Sequence, residues 1–251
     1  MNRRIAILGA LTIALNGCHW HQEPATDYVC LLDTSKSIER QSTLAEFKAI
    51  ESLVDRLKRG DAVILIPITG NALADSPGQI IHLAVPTQRQ PYDHDLLVFR
   101  EQAREQIKIL RDQALASPSS RTDILGALDA ARQELALLPK QNNRRLLVVS
   151  DFLEDDGAYD FVSARPLASP ISAGLLAARL REQHGFTLPG VRLCLGRLES
   201  GDFRPLSPQR KGAVQAFWSA YLSDGDNVPE IRLDGTEMLA DPEQGCLGVE
   251  R

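Results

Sequence analysis

The five residues Tyr28-Val29-Cys30-Leu31-Leu32 carry no charge and run directly into Asp33. A strand without a polar face is stable only where both faces are covered, as in the centre of a sheet flanked by helices on both sides. The rest of the chain meets that demand. Leu44, Phe47, Ile50, Val54 and Leu57 recur at spacings of three and four and predict one apolar helix face ending near Gly60. The run 62–68 is a second strand.

Asn71, Asp75, Ser76 and Pro77 form a turn cluster, and the apolar stretch 79–85 after it reads as a third strand. So short a link forces that strand antiparallel, because a parallel return needs a crossover of a dozen or more residues. A helix over 97–115 shows its stripe in Ala103, Ile107, Leu110 and Ala114, and Ser117-Pro118-Ser119-Ser120 breaks it. A further helix begins at Thr122 and ends before Pro139, and 145–149 is a strand with Asp151 just beyond it. Helix, strand and helix then follow over 171–181, 191–195 and 212–222, with a short strand over 231–233. The expected fold class is α/β, doubly wound, with a mostly parallel central sheet, one antiparallel edge strand and helices on both faces. One composition regime and no internal repeat predict a single domain over 27–251, including a C-terminal tail. The stretch 155–170 is the longest connection without periodicity.

The start of the chain has a different character. Arg3 and Arg4 precede a nearly unbroken apolar run from Ile5 to Leu15, about half the roughly 20 residues of a membrane-spanning helix. Residues 1–17 therefore read as an export signal. Leu15-Asn16-Gly17-Cys18 resembles the lipobox of bacterial lipoproteins, with Leu15 and Gly17 in their usual places and Asn16 a less usual occupant of its own. That resemblance implies cleavage before Cys18, lipidation of its sulfur, a polar tether over 18–26 and attachment to a membrane in the cell envelope. His19 stands where an Asp would signal retention in the inner membrane, and so favours the outer membrane. Cys30, Cys194 and Cys246 remain, an odd number without metal-like spacing, and no disulfide is predicted. A net charge of −5 without a concentrated basic surface argues against nucleic acid as a partner.

Asp33-Thr34-Ser35-Lys36-Ser37 sits on a strand-to-helix turn, Asp151 ends another uncharged strand, and Thr122 opens a helix between them in the chain. In an open α/β sheet, sites form in the crevice outside the carboxyl ends of the central strands. If the three segments meet there, two carboxylates and three hydroxyls surround one point. All-oxygen ligands suit Mg2+, or Mn2+, over Zn2+. Taken alone, an Asp with nearby serines as readily closes a turn or caps a helix.

DTSKS at 33–37, Thr122 in SSRTDILGAL and Asp151 in LLVVSDF resemble the metal-ion-dependent adhesion site of von Willebrand factor A-type domains. The resemblance covers most of 27–235. It implies Ser35, Ser37 and Thr122 as direct ligands of a divalent cation, Asp33 and Asp151 as ligands acting through water, and a protein partner that supplies an Asp or Glu to the ion. Two positions depart from the pattern: Phe152 and Ser120-Arg121 stand where that family has glycine. Glu154, Asp155 and Asp156 read as a solvated acidic loop, Asp93 and Asp95 as helix-capping acids, and Phe217, Trp218 and Tyr221 as core. His19, Trp20 and His21 read as linker. The chain is expected not to be an enzyme. The alternatives are a metal-dependent phosphohydrolase with Asp33 as nucleophile, and a metal-free structural domain of the same fold in an envelope assembly.

Overall fold

The computed structural model describes residues 24–242 apart from 76–77, 89, 224–230 and 233–234. The export signal, Cys18, the first part of the tether and Cys246 lie outside the described residues.

Six strands form one sheet in the order β3-β2-β1-β4-β5-β6. They are β1 (Thr26–Asp33), β2 (Ala62–Ile68), β3 (Ile81–Ala84), β4 (Asn143–Ser150), β5 (Val191–Arg197) and β6 (Ile231–Arg232). All neighbours pair parallel except β2 and β3, in agreement with the expected antiparallel edge strand. The chain starts in the middle of the sheet, moves out to β3 and returns to lay β4 against β1, with Cys30 opposite Leu147. The crevice between the carboxyl ends of β1 and β4 is thus the point where the winding reverses.

Every residue of β1 is buried, and its alternation feeds two separate cores. Tyr28, Cys30 and Leu32 pack on one face with Phe47, Ile50 and Val54 of α1 (Arg40–Arg56) and Phe99, Ala103 and Ile107 of α3 (His94–Ala116). Val29 and Leu31 face the other side, with α4 (Ile124–Leu137), α5 (Pro170–His184) and α6 (Pro208–Leu222). The aromatic cluster on α6 is core, as its spacing predicts: Phe217, Trp218 and Tyr221 are fully buried, and Phe161 meets Phe217 edge-on at 4.6 Å. Among the described residues no helix is long and apolar enough to cross a membrane.

The structure departs from the sequence reading at several points. The turn cluster contains a short helix, α2 (Ala72–Asp75), and the C-terminal region another, α7 (Gly235–Ala240), whose Met238 and Leu239 are buried against the α1 face. A Cβ on Gly196 of β5 would lie 2.5 Å from the Gly235 Cα, so α7 reaches the sheet only because both positions lack side chains. Cys194 is disulfide-bonded, whereas Cys30 is a buried free thiol. The sequence leaves pairing open, because it depends on how the fold brings cysteines together, which spacing does not encode.

Asp93 and Asp95 are not simple caps either. Asp93 has φ 51° and its side chain caps nothing. Both acids instead bind Arg59, which reaches Asp93 at 2.9 Å and Asp95 at 2.5 Å and 3.2 Å. These bonds hold the Asp95 carboxyl down to about 2. Its value in the unfolded chain is about 3.9, so the pair stabilises the fold fully above about pH 4 and loses that contribution as pH falls through about 2. Asp95→Asn should lower the Tm near neutrality, and the gap between parent and variant should close on acidification from about pH 4 to about pH 2. A gap that stays constant over that range would show that the ion pair contributes nothing.

Candidate metal site at the β1–β4 crevice

Four loops meet over the crevice because backbone hydrogen bonds stitch them together. The β1–α1 loop joins the α3–α4 loop through Lys36 N to Ser119 O (2.8 Å) and Ser119 N to Thr34 O (3.0 Å). It joins the β5–α6 loop through Gly201 N to Ser37 O (3.2 Å). Thr122 and Asp155 exchange a pair of bonds, N to O at 3.0 Å and 2.7 Å, which ties the α3–α4 loop to the β4–α5 loop. With so many backbone groups satisfied across the loops, the side chains they carry are held in place.

These bonds bring the five sequence-predicted residues to one end of the sheet. Ser35 and Ser37 place their Oγ atoms 2.9 Å apart, and both line a cavity of about 260 Å³ together with Thr122. The Thr122 side chain makes no hydrogen bond among the described residues. Asp33 and Asp151 lie beneath, each wholly buried. The Asp33 Oδ1 accepts from Ser35 N at 2.9 Å and its Oδ2 from Ser150 Oγ at 2.6 Å. The Asp151 Oδ1 accepts from Leu153 N at 2.9 Å and its Oδ2 makes no hydrogen bond of normal geometry among the described residues, although the Ser200 and Ser37 hydroxyls lie close enough to favour the charged carboxylate. Burial, then the neighbouring charge of Asp33, pushes the Asp151 carboxyl up to about 7, and burial also raises Asp33.

Two buried acids with one under-bonded oxygen, below three hydroxyls on an open cavity, form a donor set that fits a hard divalent cation. A buried carboxylate oxygen short of hydrogen bonds is costly, and a cation nearby offsets that cost. The acids Glu154, Asp155, Asp160 and Asp202 on the same cavity add negative field, with Lys36 the one opposing charge on its wall.

The two departures from the family pattern have different outcomes. Ser120 and Arg121 have no positive φ, so glycine is not required there. Phe152 does take φ 63°. A bulky residue in that region costs roughly 1–3 kcal/mol. Phe152 offsets this with a ring that is 1% exposed, stacked obliquely on Trp218 at 6.1 Å, and with a carbonyl that accepts from Trp218 Nε1 at 2.9 Å.

Several residues that shape the site are not apparent in the sequence reading. Ser150 receives Phe152 N at 2.9 Å and donates to Asp33, so it holds both the strained residue and the buried acid. Glu46 on α1 is fully buried, both its oxygens lack partners, and burial, then the charge of Asp33, raises its carboxyl well above the usual range. Helical phase contained that signal, since 46, 50, 53 and 57 share a face. Glu154 corrects the reading of a solvated acidic loop: it is fully buried, with Oε2 accepting from Ile124 N at 3.0 Å and Leu125 N at 3.2 Å at the start of α4. Asp155 and Asp156 beside it are half-buried.

Phe152 yields an ordering of variants. Phe152→Ala deletes the ring and keeps the unfavourable φ, which should cost about 3–5 kcal/mol of unfolding free energy in urea titrations. Phe152→Gly loses the same ring but relaxes the backbone, so it should be about 1 kcal/mol less damaging than alanine. Alanine proving as stable as glycine would show that φ at this position carries no strain.

No family model and no curated protein matches the chain. Among solved structures it is similar to the manganese-loaded TRAP protein of Plasmodium vivax (15% identity, TM-score 0.44, 86% of this chain and 71% of that one). It is also similar to the conserved hypothetical protein BatB from Bacteroides thetaiotaomicron (12%, 0.46, 88% and 98%) and to a von Willebrand factor type A protein from Catenulispora acidiphila (15%, 0.46, 89% and 42%). Each likeness is distant. The strand order with β3 alone antiparallel, and the DTSKS turn set on the β1–β4 crevice, agree with the fold that the resemblance to von Willebrand factor A-type domains implies.

Proposed function

We propose that the chain is a lipid-anchored protein of the cell envelope whose domain captures a partner protein through a divalent cation bridging to a partner Asp or Glu. The observation that carries this reading is the layering of the site: Ser35, Ser37 and Thr122 on the cavity, Asp33 and Asp151 buried beneath it. Ser35, Ser37 and Thr122 would hold the ion, with Asp33 and Asp151 behind them. Mg2+ is the first choice for such hard oxygens and Mn2+ the second. Neutral hydroxyls leave most of the ion's charge uncompensated, so an anionic oxygen from outside completes the site. No nucleic acid enters this reading.

Attachment through lipidated Cys18, with the outer membrane favoured by His19, belongs to the same proposal. The disulfide at Cys194 supports an oxidising compartment, since cytosolic proteins rarely keep such bonds. The phosphohydrolase reading has less support. Asp33 is fully buried, does not line the cavity, and has both oxygens engaged, whereas a nucleophile must reach its substrate.

Mg2+ at about a hundred times its Kd should add about 2.7 kcal/mol, which for a domain of this size is a rise in Tm of roughly 5–10 °C. Ser35→Ala and Thr122→Ala should lose most of that rise, and should lose capture of a partner that the parent retains in magnesium and releases in chelator. Equal Mg2+-induced shifts in parent and variants would overturn the assignment of the ligands.

A further inference from the structure

Beside the proposed ligand Thr122, three further carboxylates converge. Asp123 caps α4, its Oδ1 accepting from Gly126 N at 2.7 Å and its Oδ2 from Ala72 N at 2.9 Å. Asp156 Oδ1 accepts from Ala158 N and Tyr159 N, both at 2.7 Å. Glu154 is fixed through Oε2 by the first amides of α4. One oxygen from each of the three lies within 4.8 Å of the others. Helix capping accounts for the bonded oxygens of Asp123 and Glu154, and a local turn for that of Asp156. Neither accounts for the rest: Glu154 Oε1 is buried without a partner, and Asp156 Oδ2 makes no hydrogen bond among the described residues.

We propose that Asp123, Glu154 and Asp156 form a second divalent cation site, of calcium type, next to the site at Ser35. Ca2+ takes roughly six to eight oxygens in flexible geometry and accepts several carboxylates, whereas Mg2+ demands near-octahedral geometry and keeps most of its water. Three protein carboxylates offered together suit the larger, more adaptable ion. Three carboxylates held this close repel one another. A dication satisfies the orphaned oxygen and removes the repulsion at once.

The placement gives the ion a role. Asp155, between Glu154 and Asp156, exchanges two backbone bonds with Thr122, the residue before Asp123. A cation held by Asp123, Glu154 and Asp156 clamps the loop of Thr122 to the loop of Asp151, and so braces two of the five residues of the first site.

The test is calcium binding by the purified full chain, followed by calorimetry, in a Ser35→Ala background that removes the first site. Ser35→Ala should bind one Ca2+, and adding Asp156→Asn or Glu154→Gln should weaken binding by at least about tenfold. Both changes keep an oxygen acceptor for the amides, so circular dichroism in chelator should match Ser35→Ala. Terbium is a second probe: the adjacent Tyr159 should sensitise its emission in Ser35→Ala, and Asp156→Asn should quench it. Should Glu154→Gln fail to fold, the half-buried Asp156→Asn decides alone. No Ca2+ bound by Ser35→Ala at millimolar concentration, or unchanged affinity in Asp156→Asn, would overturn the second site. Neither result would touch the magnesium-dependent capture assigned to Ser35.

Discussion

The structure turns on a carboxylate buried where the sheet changes its winding direction. Asp33 ends β1 at the point where β4 returns to lie beside it, and its two oxygens bind the two segments: one takes Ser35 N in its own loop, the other Ser150 Oγ at the end of β4. Desolvating a carboxylate is costly unless it is hydrogen-bonded, so the loop after β1 must curl back over Asp33. That curl carries Ser35 and Ser37 onto the cavity. Asp151 is set beneath the same cavity by the parallel pairing of β1 and β4.

Such an arrangement concentrates negative charge in a poorly solvated place. Asp33, Glu46, Asp151 and Glu154 are all fully buried, and burial raises the carboxyl of each. Buried acids of this kind stabilise a fold poorly and are characteristic of functional sites. Phe152 adds backbone strain next to Asp151, held down by Trp218 and Ser150. Around these groups lie two apolar cores, one on each face of the sheet, which supply the stability that the crevice gives up.

Much of the layout was legible because it rests on local pattern. The uncharged β1 and the helix stripes each point to one arrangement, since burial on two faces and helical period leave few alternatives. The DTSKS turn and Asp151 were legible for the same reason, each lying at the end of a readable strand. Glu154 was not. Its neighbours Asp155 and Asp156 make the stretch look solvated, and only the packing of the β4–α5 loop against the start of α4 turns this one acid inward. Arg59 likewise stands 34 and 36 residues from the two acids that it binds.

The sequence by itself determined the α/β class, the parallel centre with its antiparallel edge, and the five oxygen-bearing residues at the crevice, because period, polarity and strand ends are properties of neighbouring residues. Tertiary structure decided which acids are buried, which position takes a positive φ, that Cys194 is bonded, and how Thr122 is fastened to the loop of Asp151. Each of these depends on groups far apart in the chain meeting in a medium of low polarity, and their energies exist only once the two cores have closed around the sheet.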